Sequence, residues 1–460
     1  MFLLSVKEIA LAVHAKNIED AWETIKINAV DFDSREIKNQ SLFVPLVSEN
    51  DGHAFVEQAI KNGALATFWS NSIKEAPEGI PVIQVEDTLK ALQDLARYYL
   101  TKINPKVIGI TGSNGKTTTK DMTQAVLSSQ YRVHKTQGNF NNHIGLPITI
   151  LEMPLDTEVV ILEMGMNHAG EIKVLSDLAK PDIAIITMIG ESHIEHLGSR
   201  AGIADAKMEI VSGLKENGLL IIPGDEPLLV ERASCLKKEQ VKTFGVLPTN
   251  DAYSLQISSG MKETTFSTNL DPSISIHLPV TGTYNVDNAL AALSGGLALG
   301  ISVEKAAQKL ATFQLTKNRT EWLEGIHESE LLNDAYNANP TAMKAVLNTF
   351  SQLKNEGRKI VVLGDMLELG RQTQELHVSI KDALSIDEID QVILYGPHMK
   401  VLYEALKPDF TIDRIHHFDG EKETMIAFLK KLIKPKDYVL VKSSFGTGLL
   451  SVVKALQKNR

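Results

Sequence analysis

The chain has 460 residues, 43% hydrophobic and 23% charged, an ordinary globular composition with apolar material for about three domains of roughly 150 residues each. Its 47 Lys and Arg against 57 Asp and Glu leave a formal net charge of −10, which argues against a surface built to hold nucleic acid. One cysteine, Cys235, excludes an intramolecular disulfide and a cysteine-based zinc site, and its plainest reading is a small buried hydrophobe.

The start, MFLLSVKEIA, is interrupted by Lys7 and Glu8 and does not read as a signal peptide. No later run approaches the roughly 18 apolar residues of a membrane span, so a soluble, cytoplasmic chain, read here as a monomer, is expected. Leu42-Phe43-Val44 and Ala66-Thr67-Phe68 read as short buried strands, and Thr88 to Tyr99 as a helix with Leu89, Leu92, Leu95, Ala96 and Tyr99 on one face. A residue before proline resists helix, so Lys102-Ile103-Asn104-Pro105 reads as a linker.

Strands are then expected at Lys106 to Thr111, Val159 to Leu162, Ile183 to Thr187 and Leu219 to Ile222, with helices between them. That alternation points to βαβ units and a mainly parallel sheet. Leu278 to Gly282 leads into a helix from Asn285 to Leu299. A second break falls near Phe313 to Asn318, after which Lys359 to Leu363, Gln391 to Tyr395 and Tyr438 to Val441 read as strands of another α/β domain. The predicted architecture is α/β in three domains, residues 1–103, 104–314 and 315–460.

The strongest local signal is Gly109-Ile-Thr-Gly112-Ser113-Asn114-Gly115-Lys116-Thr117-Thr118, between a predicted strand and a predicted helix. Backbone N–H groups there can cradle phosphate, Lys116 can reach the terminal phosphates, and the Thr117 hydroxyl can ligate Mg²⁺. The spacing departs from the strict P-loop pattern, because Ile110 stands five before Gly115. Glu163 ends a strand, where a carboxylate faces the ligand crevice of a parallel sheet, and His193 follows another strand of that sheet, with Glu195 and His196 as nearby alternatives. Taken alone, Lys207 in Ala204-Asp-Ala-Lys207-Met-Glu209 reads as a surface lysine at a helix start.

Several runs in this order resemble the Mur ligases. They are Thr111 to Lys120, Gly138-Asn-Phe-Asn141-Asn142-His-Ile-Gly145, Glu163-Met-Gly-Met-Asn167, Glu191-Ser-His193, Ala206-Lys207-Met, Tyr284-Asn285-Val-Asp-Asn288, Asn318-Arg319-Thr-Glu321, Asp334-Ala-Tyr336-Asn337-Ala338-Asn339-Pro340 and Gly364-Asp365-Met-Leu-Glu368-Leu-Gly370. The resemblance implies an ATP-dependent carboxylate–amine ligase with a UDP-sugar-binding first domain, an ATP-binding P-loop domain and a Rossmann-like third domain. The Tyr336 to Pro340 and Gly364 to Gly370 runs are similar to those of the member that joins D-alanyl-D-alanine to UDP-N-acetylmuramoyl-tripeptide.

Carried over residue by residue, the resemblance implies that Lys116, Lys207 and His193 are catalytic. Gly112 to Thr118, with Asn285, Asn288, Arg319 and Asp334, would hold ATP, and Thr117, Glu163, His193 and a carbamylated Lys207 would hold Mg²⁺. Ser34, Arg35, Asp51 and His53, then Asn141 and Asn142, then Tyr336, Asn337, Asn339 and Pro340, would meet the other substrates. The chain departs from the family pattern at Tyr284, where histidine is common, at Ala335, where serine is common, and at Phe445, where arginine is usual. Competing readings are a related ligase acting on folate or adding a single amino acid, a nucleotide switch that makes no bond, and a non-catalytic scaffold, which would not require Lys116, Glu163 and Asn288 together. The Asp33-Ser34-Arg35 run favours a UDP-sugar over folate.

Overall fold

The computed structural model describes residues 3–317, 319–354 and 356–458, so Asn318 of the Asn318-Arg319 run lies outside the described residues. Residues 3–84 hold an antiparallel ribbon, Leu4–Ser5 with Lys26–Ile27, and a parallel sheet in the order Ala29–Asp31, Ser41–Phe43, Ala64–Trp69, Val82–Gln84.

Helix Thr88–Ile103 follows. Asp87 caps it by accepting from the Lys90 N–H at 2.8 Å, and Leu92, Leu95, Ala96 and Tyr99 are its buried stripe. The helix runs through Lys102 and Ile103, so the expected four-residue linker shrinks to Asn104-Pro105. Proline restricts only its immediate predecessor, and Asn104 ends the helix in the left-handed region (φ +52°). The Tyr99 hydroxyl donates to the Met153 carbonyl at 2.8 Å, tying this helix to the next domain.

The central sheet has nine strands. From one edge they run Asp271–Leu278, Thr264–Thr268, Ala252–Ser259, Val241–Gly245, Leu219–Pro223, Ile183–Ile186, Lys106–Thr111, Val159–Glu163, Val133–Lys135. Seven are parallel, and the first two form an antiparallel extension. Lys106–Thr111 lies deep in the sheet, and its apolar side chains are covered on both faces, as parallel strands require. Helix Tyr284–Ala298 packs against helix Lys116–Leu127 behind the glycine loop.

The chain then crosses to a six-stranded sheet in the order Glu321–Glu324, Glu330–Asp334, Tyr438–Lys442, Lys359–Gly364, Gln391–Tyr395, Ile415–Phe418. All its pairings are parallel except the first. The crossing is anchored: the buried Asp121 carboxylate accepts from the Thr316 N–H (2.9 Å) and hydroxyl (2.8 Å) and pairs with Lys135 at 2.7 Å.

Two single-residue expectations are corrected. Cys235 is exposed, because it lies beyond helix Pro227–Ala233, whose last inward side chain is Ala233. Lys207 is 1% exposed and sits in the last turn of helix Arg200–Met208, not at a helix start, on a face turned into the protein. Among the described residues no helix is long and apolar enough to cross a membrane.

Candidate active site

Strand Lys106–Thr111 delivers the chain into the loop at Gly112, and helix Lys116–Leu127 begins four residues on. The first N–H groups of that helix have no partner inside it and carry the positive end of its dipole. Two glycines set the loop's shape. Gly115 has φ +80°, and a side chain there would overlap the Asn288 carboxamide; at Gly112 it would strike the Thr187 hydroxyl. The loop is pinned to the neighbouring strand end, with the Thr187 hydroxyl donating to the Asn114 carbonyl (2.5 Å) and the Ser113 N–H to the Met188 carbonyl (3.0 Å).

Lys116 curls over this loop and donates to the Gly112 carbonyl at 2.7 Å. Burial pushes its ammonium down to about 8, against the pull of Glu163 and with the repulsion of Arg319. The loop therefore carries a cation poorly compensated by protein, the electrostatic condition for an anionic ligand.

Glu163 lies beside it. One of its oxygens accepts from the Asn141 side chain at 3.0 Å, and its backbone N–H donates to the Thr136 hydroxyl at 3.0 Å. The other oxygen is buried, faces Lys120 at 3.4 Å, and has no hydrogen-bond donor among the described residues. Such an unfilled acceptor fits a cation. Lys120, 1% exposed, was not singled out from sequence; its signal was its place one helical turn after Lys116, on the buried face of the helix.

Lys207 has no ion-pair partner among the described residues, and burial, then Lys116, hold its ammonium well below the usual range. His193 has left-handed backbone (φ +62°) and pairs through Nδ1 with Glu368 of the C-terminal domain. Burial lowers it, Glu368 opposes that, and Lys116 and Lys207 lower it further. Thus Lys116, Thr117, Glu163, His193 and Lys207 fall in one region. Among the described residues no three His, Cys, Asp or Glu side chains converge, so a cation here would also need oxygens from Thr117, a modified Lys207 or the ligand.

A cavity of about 300 Å³ opens from the loop between the central and C-terminal domains. Asn114, Gly115, Thr118, Asn285 and Asn288 line one wall; Arg319, Asp334, Asn337 and Lys442 line the other. Asn288 accepts from the Thr119 hydroxyl (3.1 Å) and donates to Asn285 (3.1 Å). Asp334 accepts from Lys442 at 2.5 Å and from the Thr320 N–H at 3.1 Å. The Arg319 guanidinium lies 4.1 Å over the Tyr336 ring, which in turn contacts Phe445 at 5.6 Å between centroids.

Other expected site residues have structural employment. Asn339 is 1% exposed; it caps helix Pro340–Gln352 by accepting from the Ala342 N–H (2.9 Å) and donates to Ser192 across the domain boundary (2.6 Å). Pro340 is the first residue of that helix and is buried. The Asn142 side chain accepts from the N–H groups of Ile144 (3.1 Å) and Gly145 (2.8 Å).

In the N-terminal domain, Arg35 is exposed and paired with Asp33 at 2.6 Å, which holds Asp33 down to about 2. Ser34 is buried, with its carbonyl accepting from Asn62 at 2.7 Å. Asp51 accepts from the His53 N–H (3.0 Å) and ring Nδ1 (2.5 Å), and His53 Nε2 faces the Ser70 N–H at 3.2 Å. Both His53 nitrogens are therefore engaged within the protein.

Residues 110–295 match the Mur ligase middle domain, and residues 318–445 match the Mur ligase glutamate ligase domain. The chain belongs to the Mur ligase family, whose members use ATP. It is 46% identical over 457 residues, 99% of each chain, to the UDP-N-acetylmuramoyl-tripeptide–D-alanyl-D-alanine ligase of Bacillus subtilis. Its fold superposes on a crystal structure of MurF from Acinetobacter baumannii with TM-score 0.87 at 28% identity, covering 98% of both chains. It also superposes on MurF from Thermotoga maritima in complex with ADP, with TM-score 0.81 at 27% identity, covering 93% of this chain and 96% of that one.

Proposed function

We propose that this chain joins D-alanyl-D-alanine to the terminal carboxylate of UDP-N-acetylmuramoyl-tripeptide at the expense of ATP, in peptidoglycan precursor synthesis. The observation that carries this reading is the split cavity: the Lys116 loop forms one wall, and Arg319, Asp334 and Lys442 of another domain form the other. A ligase must exclude water from an acyl phosphate, and a site that two domains close upon does so. The end-to-end similarity to a ligase of that name supports the same reading.

A carboxylate oxygen of the tripeptide attacks the γ-phosphorus, and the bond to the β-phosphate oxygen breaks, leaving an acyl phosphate and ADP. The dipeptide's free amine attacks the acyl carbon, the bond to phosphate breaks, inorganic phosphate leaves, and the amine's surplus proton passes to water or phosphate. Lys116 and the helix N-terminus offset charge on the transferring group. Thr117, Glu163, His193 and a carbamylated Lys207 would hold Mg²⁺, which supplies further charge neutralisation. Lys207 suits that modification, since burial favours its neutral amine, the form that adds to carbon dioxide.

Asn288 and Asn285 stand where the adenine would lie, Asp334 and Arg319 close over the nucleotide, and Tyr336 and Asn337 face the dipeptide. Ser34, Arg35 and Asp51 serve the UDP end, with His53 and Asn339 acting as internal struts. One chain supplies both cavity walls, so we read the enzyme as a monomer, acting in the cytoplasm where ATP and UDP-linked sugars are available.

The test is phosphate release from ATP with each co-substrate alone and with both. Release that needs both, with ligated product in equal amount, is the expected result. Steady hydrolysis without either would identify a switch instead. Lys116→Ala should lower kcat by about 10²–10³-fold, and a near-native rate would refute the assignment.

A further inference from the structure

Residues 191–195 of the central domain do more than carry His193: they form one of the surfaces that meet the C-terminal domain. Glu191 accepts from the Thr341 N–H (3.1 Å) and hydroxyl (2.9 Å) at the start of helix Pro340–Gln352. The Ser192 hydroxyl accepts from Asn339 at 2.6 Å. The Glu195 N–H donates to the Glu368 carbonyl at 3.1 Å. Between them, the His193 ring meets the Glu368 carboxylate.

Glu368 is held for this contact by its own domain. Its backbone is left-handed (φ +61°), a cost a non-glycine residue bears only where neighbours enforce it. The preceding N–H groups are all engaged: Met366 donates to His377 Nε2 (3.1 Å) and Leu367 to the Ser444 hydroxyl (2.9 Å). Asp365 in turn accepts from the Met399 N–H at 2.9 Å. The carboxylate is thus presented on a braced loop.

We infer that Glu368 is a positioning residue for His193: it accepts the Nδ1 proton and so leaves the lone pair on Nε2, the nitrogen that does not face it. A carboxylate behind a ligating imidazole fixes its tautomer and ring orientation. Here the carboxylate belongs to the other domain, so His193 is set for a cation when that domain is docked. Docking and completion of the site become one event. This rests on the reading of His193 as a Mg²⁺ ligand.

The experiment uses the full-length protein with ADP, Mn²⁺ as the probe ion, and the variants Glu368→Ala, Glu368→Gln and His193→Gln. Long-range ¹H–¹⁵N NMR, with the ring signal assigned by its loss in His193→Gln, should show the Nδ1–H tautomer in the wild type and the Nε2–H tautomer in Glu368→Ala. Mn²⁺ affinity in the ADP complex should fall by about 10- to 100-fold in Glu368→Ala. It should stay within a few-fold in Glu368→Gln, whose carbonyl oxygen still accepts. ADP affinity without metal should be the same in wild type and both Glu368 variants. An unchanged tautomer and unchanged Mn²⁺ affinity in Glu368→Ala, with His193→Gln weakened, overturns the inference and leaves the ligase reading standing. Unchanged affinity in His193→Gln as well overturns the ligand assignment beneath it.

Discussion

The central domain shares buried apolar surface with both neighbours but meets them through different polar contacts. Toward the N-terminal domain the contact is a shared core: Leu92, Leu95, Ala96 and Tyr99 of helix Thr88–Ile103 belong to one buried cluster with Leu146, Ile150, Leu151 and Met153. Toward the C-terminal domain the same buried cluster continues, through Ile189 and Ile194 to Ala338, Met366 and Leu369, and a row of polar contacts is added, Glu191 with Thr341, Ser192 with Asn339, His193 with Glu368, and the Tyr284 hydroxyl with Thr320 at 3.2 Å. Separating the first exposes apolar area at about 25 cal/mol per Å². Separating the second also exchanges that row of protein hydrogen bonds for water, at a net of only about 0.5–1.5 kcal/mol each. Both boundaries thus share buried apolar surface, and at the one beside the cavity the added polar contacts run through candidate site residues, His193 and Asn339.

The largest test of that contrast is stability. Leu95→Ala should cost about 2–5 kcal/mol, whereas Thr341→Val should cost about 0.5–1.5 kcal/mol, both read from urea unfolding midpoints. Equal costs would break the comparison.

Next comes Asp287, which lines the cavity and whose carboxyl is pushed up to about 6 by burial and by Asp225. Its acid form is favoured by folding, so its contribution is full below its ordinary 3.8 and is lost as pH rises through about 6. Asp287→Asn should therefore stabilise the protein by about 1–3 kcal/mol at pH 8 and by almost nothing near pH 3.5. A gain independent of pH would overturn the raised Asp287 carboxyl as its cause.

Smaller is the response of Lys116, cationic below about 8 and neutral above it. ADP affinity by calorimetry should fall about tenfold one pH unit beyond that value. Lys116→Arg, charged throughout, should bind with a flat profile.

The last test carries little energy but addresses motion directly. Exposed Cys235 is a ready label site, and Leu11 and Ile412 are 55% and 77% exposed. With Leu11→Cys the label pair should give one narrow distance with or without ADP. With Ile412→Cys it should be broad without nucleotide and narrow with it. Two narrow distributions in both states would make the C-terminal domain as rigid as the N-terminal one.

Much of the architecture was legible because it is local. Lys106–Thr111, a β-branched run ending in glycines, and helix Lys116–Leu127 could be read from residues that touch their own neighbours. The strands Gln391–Tyr395 and Tyr438–Lys442 were legible for the same reason. The sheet edge Ala252–Leu278, with its antiparallel extension, was not, because most of Ala252–Ser259 faces solvent and lacks the apolar run of a buried strand.

The chain's order alone thus determined the glycine loop, the parallel sheets and the place of Lys116 at the head of helix Lys116–Leu127. Tertiary structure alone decided that Lys207 is buried and Cys235 is not, that Asn339 and His53 spend their polar atoms internally, and that Lys120 faces Glu163. It also decided that Glu368 reaches His193 across 175 residues. Periodicity reports which face of a segment is apolar; it carries no record of which distant segment covers that face, and burial, pairing and charge environment all follow from the cover.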